Sequence, residues 1–297
     1  MLHRRLRTVV AASLISRAFS TNMAQSCETR TVPFVLIGAG GVGSALLEAI
    51  MGARSLHAER YGLKFSALAV CDSSAAATGA DAAAGLTDNE INALISHKAS
   101  GGKLSAQAGA MVRPAEQDAS AFLEEVVVKY ASTAPDAIVV DCTATEATVP
   151  ALLKAASSMR AVSANKKPFA GAMGTFTQLA LSPSSPARVR YEATVGAGLP
   201  VIAALSRVVS AHDSVSLISG SFSGTLGYVM SGLQAGEPFS AVVAKAKELG
   251  FTEPDPRDDL GGVDVARKAL ILARTLGTCQ GVTVGPLLGD TRGTPFP

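Results

Sequence analysis

The feature that most constrains this chain is the hexapeptide Gly38-Ala39-Gly40-Gly41-Val42-Gly43, set directly behind the apolar run Thr31 to Ile37. A β-branched run that ends in glycine reads as a buried strand, and Gly43 to about Ala53 then reads as a helix. Gly38, Gly40 and Gly43 occupy the three positions of a G-x-G-x-x-G loop. The first glycine permits the turn, the second lets backbone approach a pyrophosphate, and the third lets helix and strand pack closely. Gly41 and Val42 lie just before that helix, and the free N–H groups and dipole of its terminus favour a phosphate. The order strand, turn, helix points to a dinucleotide; a plain tight turn or a loop for another nucleotide, such as S-adenosylmethionine, are the competing readings. Val32 to Met51 is nearly free of charge and long enough to cross a bilayer. Its glycines divide it into strand, turn and helix, so no membrane span is expected.

The same alternation continues. Leu63 to Val70 reads as a strand that closes on Cys71-Asp72-Ser73-Ser74, and weak helical signals follow around Asp88 to Ser96. Ala119 to Tyr130 is a helix, Ala137 to Val140 a strand closing on Asp141-Cys142-Thr143, and Val149 to Ser157 a helix. Strand Ala161 to Ser163 leads into the loop Ala164 to Pro168. Alternating strands and helices predict an α/β fold of Rossmann type, a doubly wound parallel sheet with helices on both faces. The Ser/Pro cluster Pro183 to Pro186 breaks that rhythm. A helix Pro200 to Ser210 and a strand Ser214 to Ser221 follow, as expected of a second, α+β domain. The predicted division is 1–30 as a leader or tail, 31–182 as dinucleotide-binding domain and 183–297 as substrate domain. Asp72 ends the second strand, where an acid either bonds an adenosine ribose or forms an Asx turn with Ser73 and Ser74. No arginine follows it, so NAD and NADP both stay open as cofactors.

Composition removes several other classes. The net charge is +2, charged residues are 17% of the chain, and no long run of one sign occurs. Nucleic acid and membrane surfaces, which usually leave a basic stripe, are therefore not expected partners. The cysteines, Cys27, Cys71, Cys142 and Cys279, show no CxxC spacing, so neither a disulfide framework nor a cysteine metal site is expected. Met1 to Arg30 carries Arg4, Arg5, Arg7 and Arg17 and no acid before Glu28, the composition of an organelle transit peptide. Arg17-Ala18-Phe19-Ser20 resembles a mitochondrial processing site; a plastid address, an unstructured tail, or initiation at Met23 with a cytoplasmic protein are the alternatives.

Chemistry concentrates near the C-terminal end. If a helix begins near Val263, Asp264 and Lys268 lie four apart on one face. Among apolar neighbours such a lysine would be desolvated and suited to proton transfer; the alternative is an exposed salt bridge. The preceding loop places Glu253, Asp255, Asp258 and Asp259 within seven residues, stiffened by Pro254 and Pro256. Lys166 follows a sheet strand, at the edge where open α/β proteins bind ligands. Thr143 occupies a comparable strand end, where capping the next helix is its bland role.

Four segments together resemble the homoserine dehydrogenase family. They are Ser163-Ala164-Asn165-Lys166-Lys167-Pro168, Tyr191 through Pro200 (YEATVGAGLP), Ser223 through Tyr228 (SGTLGY), and Leu249 through Lys268 (LGFTEPDPRDDLGGVDVARK), in family order. The resemblance implies NAD- or NADP-dependent interconversion of L-homoserine and L-aspartate 4-semialdehyde, small-molecule substrates of threonine and methionine biosynthesis. It assigns Glu253 and Asp264 to the substrate, with Asp259 of the same segment beside them, and Lys268 to proton donation. Lys166 is implied beside nicotinamide and substrate, and Thr143 in contact with the cofactor. A structural monovalent cation, sodium-like, is implied at Glu192, Val195, Ala197 and Leu199, and a homodimer as the assembly. The family continues for another hundred or so residues, so the substrate domain is expected to be C-terminally incomplete, the chain less stable than a full-length relative, and its dehydrogenase activity low or absent. Two other readings compete: an aspartate-semialdehyde dehydrogenase acting through Cys142, and an inactive dinucleotide-binding or interaction protein.

Overall fold

The structure, a computed structural model, describes residues 29–79, 84–107, 109–182, 188–252 and 255–277. The arginine-rich leader up to residue 28, the Ser/Pro cluster, Glu253 and the C-terminal residues from 278 lie outside the described residues.

Seven strands form one sheet in the order β4-β3-β2-β1-β5-β6-β7. The parallel part consists of β2 (Leu63–Cys71), β1 (Arg30–Ile37), β5 (Ile138–Asp141), β6 (Arg160–Ser163) and β7 (Val189–Arg190). β1 alternates its side chains between two cores, as a strand covered on both faces must. Val35 and Ile37 pack with Phe122 and Val126 of α4 (Ala119–Thr133) and Leu152 of α5 (Val149–Ser158). Phe34 and Leu36 pack on the other face with Leu47 of α1 (Gly41–Gly52) and with Ile91 and Leu94 of α3 (Asp88–Ala99). Between α1 and β2 lies a short helix, α2 (Arg54–Tyr61). α3 begins with a capping box in which Thr87 and Glu90 satisfy each other's backbone amides.

The expectation of a wholly parallel sheet is corrected at one edge. β3 (Ala75–Thr78) runs antiparallel to β2, and β4 (Met111–Val112) antiparallel to β3. The cause is local: Asp72 accepts from the amides of Ser74 and Ala75, and its own amide donates to the Ala75 carbonyl, so the chain reverses within three residues. β3 is nearly all alanine, which favours helix over strand in isolation. Burial, not propensity, places it in the sheet.

The C-terminal part departs further from expectation. β7 lies beyond the Ser/Pro cluster yet extends the nucleotide-binding sheet beside β6. The strand expected over Ser214 to Ser221 does not form: a strand needs a hydrogen-bonded neighbour, none runs beside it among the described residues, and Leu217 is 78% exposed. Beyond β6 the described chain is otherwise mainly helical. α6 (Lys167–Ala170) and α7 (Met173–Phe176) come first, then α8 (Val201–Ser210), α9 (Gly224–Gln234), α10 (Phe239–Glu248), α11 (Pro256–Leu260) and α12 (Val263–Thr275). Leu270, Ile271 and Leu272 of α12 belong to the same core as α4 and α5, so the last helix packs on the sheet side rather than in a separate core. Among the described residues no helix is long and apolar enough to cross a membrane.

Candidate active site

A cleft of about 1090 Å³ runs from the glycine loop to the N-terminal half of α12. At its nucleotide end, Gly38 has φ +99°, and a Cβ there would lie 2.8 Å from the Thr143 methyl and 2.9 Å from the Cys142 carbonyl carbon. A Cβ on Gly43 would sit 1.9 Å from the Gly38 carbonyl oxygen, so the loop closes only on glycine. Gly40 and Gly41 differ: nothing lies within 4 Å of an added Cβ, and both line the cleft with the 61%-exposed Val42. α1 starts there with no side-chain cap and no acid in its first turn. Its leading amides lack intrahelical acceptors, and this open cradle fits a pyrophosphate.

Asp72 is occupied otherwise. Its carboxylate accepts from Ser74 N (2.8 Å), Ser74 Oγ (2.6 Å), Ala75 N (3.1 Å), Lys98 Nζ (2.9 Å) and Leu104 N (3.1 Å). Burial pushes its pKa up, but these bonds outweigh burial and hold the carboxyl at about 2. With five donors on two oxygens, the Asx turn is the reading the geometry favours over a ribose acceptor.

Between the two ends sits a buried polar network that sequence reasoning did not single out. Asp141, fully buried at the end of β5, accepts from Thr143 N (2.9 Å), Thr148 Oγ1 (2.8 Å) and Asn165 Nδ2 (3.0 Å). Asn165 Nδ2 also reaches the Thr145 carbonyl at 2.7 Å and Thr143 Oγ1 at 3.1 Å, and its Oδ1 accepts from Lys167 N. Burial raises the Asp141 pKa, against the pull of these bonds. Thr143 is thus not a helix cap; it ties the ends of β5 and β6 together below the cleft. An acid closing an apolar strand was the available signal. Cys142 lies in the same loop, and burial followed by the nearby Asp141 charge pushes its thiol up to about 11. A thiol held neutral in this way is poorly suited to nucleophilic attack.

At the far end, Asp264 receives both lysines that the sequence singled out. Lys166 Nζ stands 3.1 Å from Oδ1 and Lys268 Nζ 2.6 Å from Oδ2, with the Asp264 side chain only 4% exposed. Burial alone would raise the Asp264 pKa, but the Lys268 hydrogen bond and the Lys166 charge bring it below the usual carboxylate range. Lys268 also donates to the Phe222 carbonyl at 2.7 Å. The expected apolar surroundings of Lys268 are therefore corrected: its ammonium meets a carboxylate and a carbonyl. Asp259, 2% exposed, accepts from Thr225 Oγ1 at 2.9 Å and lines the cleft. Asp258 pairs with Arg267 (2.8 Å), and Asp255 caps α11.

The Glu192 turn lies outside the cleft lining. The Glu192 carboxylate accepts from Ile202 N (2.7 Å) and Ala203 N (2.9 Å), capping α8 from a distance. Gly196 and Ala197 both adopt positive φ, +84° and +52°, which winds the chain tightly between Val195 and Leu199.

Comparison with known proteins agrees with this arrangement. The family model for "Homoserine dehydrogenase, NAD binding domain" matches residues 38–192, just over half of the chain, and that for "Homoserine dehydrogenase" matches residues 200–284. The chain is 44% identical over 147 residues to the maize chloroplastic bifunctional aspartokinase/homoserine dehydrogenase 1, covering 48% of this chain and 16% of that protein. It is 40% identical over 178 residues to the homoserine dehydrogenase of Emericella nidulans, covering 57% of this chain and 48% of the fungal one. The chain thus spans at most about half the length of these relatives. Its fold is similar to that of a hyperthermophilic archaeal homoserine dehydrogenase in complex with NADPH, with a TM-score of 0.58 at 21% identity over 83% of this chain and 70% of that one. A glycine cradle, a lysine–aspartate–lysine cluster at the other end of one cleft, and two consecutive family matches place this chain in the homoserine dehydrogenase family.

Proposed function

We propose that this chain transfers a hydride between a nicotinamide dinucleotide and the pair L-homoserine and L-aspartate 4-semialdehyde. The observation that carries the reading is Asp264 held between Lys166 and Lys268 in the cleft that also contains the glycine loop. A bound dinucleotide would carry the hydride at its nicotinamide ring, giving it up as NADPH or NADH and accepting it as NADP or NAD. Gly40, Gly41, Val42 and Gly43 bind its pyrophosphate through backbone amides, and Gly38 and Thr143 shape the floor beneath it. In the direction of reduction, Lys268 gives a proton to the aldehyde oxygen as it becomes an alkoxide. The Lys166 ammonium stabilises the same developing charge. Asp264 orients both ammonium groups and, with Glu253 and Asp259, accepts from the substrate's amino and hydroxyl groups. The dinucleotide-binding part spans 31–182 and the substrate part 183–297, with β7 and α12 joining them.

Three further assignments belong to this reading. Glu192, Val195, Ala197 and Leu199 hold a monovalent cation; an oxygen-only donor set suits a hard ion, and the tight turn at Gly196 and Ala197 supports it. A homodimer is supported by the exposed apolar Leu199 and Leu217. Organelle import rests on the arginine-rich composition of Met1 to Arg30. The test of the function is an assay of the purified chain with homoserine and each of NAD and NADP, monitored by nicotinamide absorbance. Homoserine-dependent reduction of either cofactor is expected. Cofactor binding by calorimetry with no turnover would replace the reading with a dinucleotide-binding protein.

A further inference from the structure

Helix α12 carries Asp264 and Lys268 near its N-terminus, and a second set of polar contacts holds its other end. Arg274 is 1% exposed, although arginine is almost never fully buried without partners. Its Nη1 donates to the Phe169 carbonyl (2.8 Å) and its Nη2 to the Gly171 carbonyl (2.9 Å). Its guanidinium carbon stands 5.7 Å from the centre of the Phe176 ring, within cation–π reach. Next to it, Thr275 Oγ1 meets Tyr191 OH at 3.3 Å, and Tyr191 stacks on Phe169 at 4.6 Å. Phe169 and Gly171 close α6, the short helix whose N-cap is Lys166.

Besides the shared apolar core, polar side chains of α12 grip the Lys166–Gly171 segment near both ends of the helix. One grip is the Asp264–Lys166 ion pair in the cleft; the other is the Arg274 fork, about 15 Å along the helix by its 1.5 Å rise per residue. A single contact fixes a distance, whereas two contacts this far apart also fix an angle. We propose that Arg274 is a positioning residue: by gripping the Phe169 and Gly171 carbonyls it sets the approach of Asp264 to Lys166. A planar fork that bonds two carbonyls at once suits this task, and a lysine offers only a point charge. The inference builds on the proposed function for its catalytic meaning, but its geometry can be tested without turnover.

The experiment is trace acetylation of the purified chain, with peptide fragmentation to separate Lys166 from Lys167. Wild type is compared with Arg274→Met, Arg274→Lys and Asp264→Asn, each first shown to be folded by circular dichroism. In Arg274→Met, Lys166 should acetylate several-fold faster, approaching Asp264→Asn, while Lys98, paired with Asp72 at the other end of the cleft, keeps its wild-type rate. Arg274→Lys should lie between the two, and it serves as the variant if methionine prevents folding. Equal acceleration at Lys166 and Lys98 would mean general loosening, and an unchanged Lys166 rate would mean no positioning; either overturns the proposal. Where wild type turns over homoserine, Arg274→Lys should lower kcat by about tenfold to a hundredfold with cofactor KM unchanged, as small misplacements of reacting groups do. Absence of wild-type turnover would count against the function alone, since the acetylation result stands without it.

Discussion

The two ends of the cleft are built by opposite means. The nucleotide end is made of backbone: Gly38, Gly40, Gly41 and Gly43 lie within six residues, and side chains matter there chiefly by being absent. The acid beside it, Asp72, spends one oxygen on its own turn and the other on Lys98 and the Leu104 amide. The far end is made of charged side chains from distant elements, with Lys166 and Asp264 almost a hundred residues apart in sequence and 3.1 Å apart in space. On the proposed function, local geometry secures cofactor binding, while chemistry depends on how α12 is seated against the loop after β6.

If that contrast is right, the largest effect should come from the charged end. Lys268→Ala is expected to lower kcat by about 10² or more, the usual weight of a positioned proton donor. Cofactor affinity, measured by calorimetry, should stay near wild type. Near-normal turnover would break the comparison, because chemistry would then not depend on this cluster.

A smaller effect, on stability and cofactor binding together, is expected at the backbone end. In Gly43→Ala the added methyl would meet the Gly38 carbonyl at 1.9 Å, and forced backbone shifts of this kind cost about 1–3 kcal/mol. Gly41→Ala, with nothing within 4 Å, should leave the melting temperature nearly unchanged and weaken only dinucleotide binding. Equal melting temperatures for the two variants would show that the loop is looser than the geometry requires.

The smallest effect concerns Asp72, where the prediction is about stability alone. Removing this partly buried acceptor leaves its donors unmatched, at a cost of about 1 kcal/mol, because the site keeps some contact with water. The sign with pH comes from its lowered pKa of about 2. A depressed carboxyl stabilises the fold above the unfolded value and loses that contribution as pH falls through the folded one. The gap in stability between wild type and Asp72→Ala should be widest near neutrality and close as pH falls from about 4 toward 2. A gap that is constant across that range would remove the ionised carboxylate from the account of the β2–β3 turn.

How much of this was legible beforehand varies with the kind of signal. The glycine loop, the parallel strands and α12 are visible because their signals are local: a glycine spacing, an apolar run, a pair four residues apart. β3 was not visible, since a row of alanines carries no strand pattern and only the Asp72 turn and burial put it in the sheet. Ser214 to Ser221 carried the opposite error, a strand-like pattern with no neighbour to complete it among the described residues. Asp141 offered a local signal, an acid closing an apolar strand, but not its partners; Asn165 and Arg274 were missed because nothing in their immediate sequence marks a buried polar group whose partners come from other elements.

The sequence by itself determined the residue types that the proposed chemistry needs: glycines where backbone must approach backbone, and acids and lysines in the segments that resemble the family. Those choices are legible because steric and periodic constraints act over a few residues. Tertiary structure decided which of them meet. It set the Phe222 carbonyl against the Lys268 ammonium, beside the Asp264 that already shares its helix face, and brought Lys166 to the same carboxylate. It also fastened α12 to the sheet side through Arg274. Contacts between elements a hundred residues apart depend on the packing of whole helices against one core, and no short stretch of sequence contains that information.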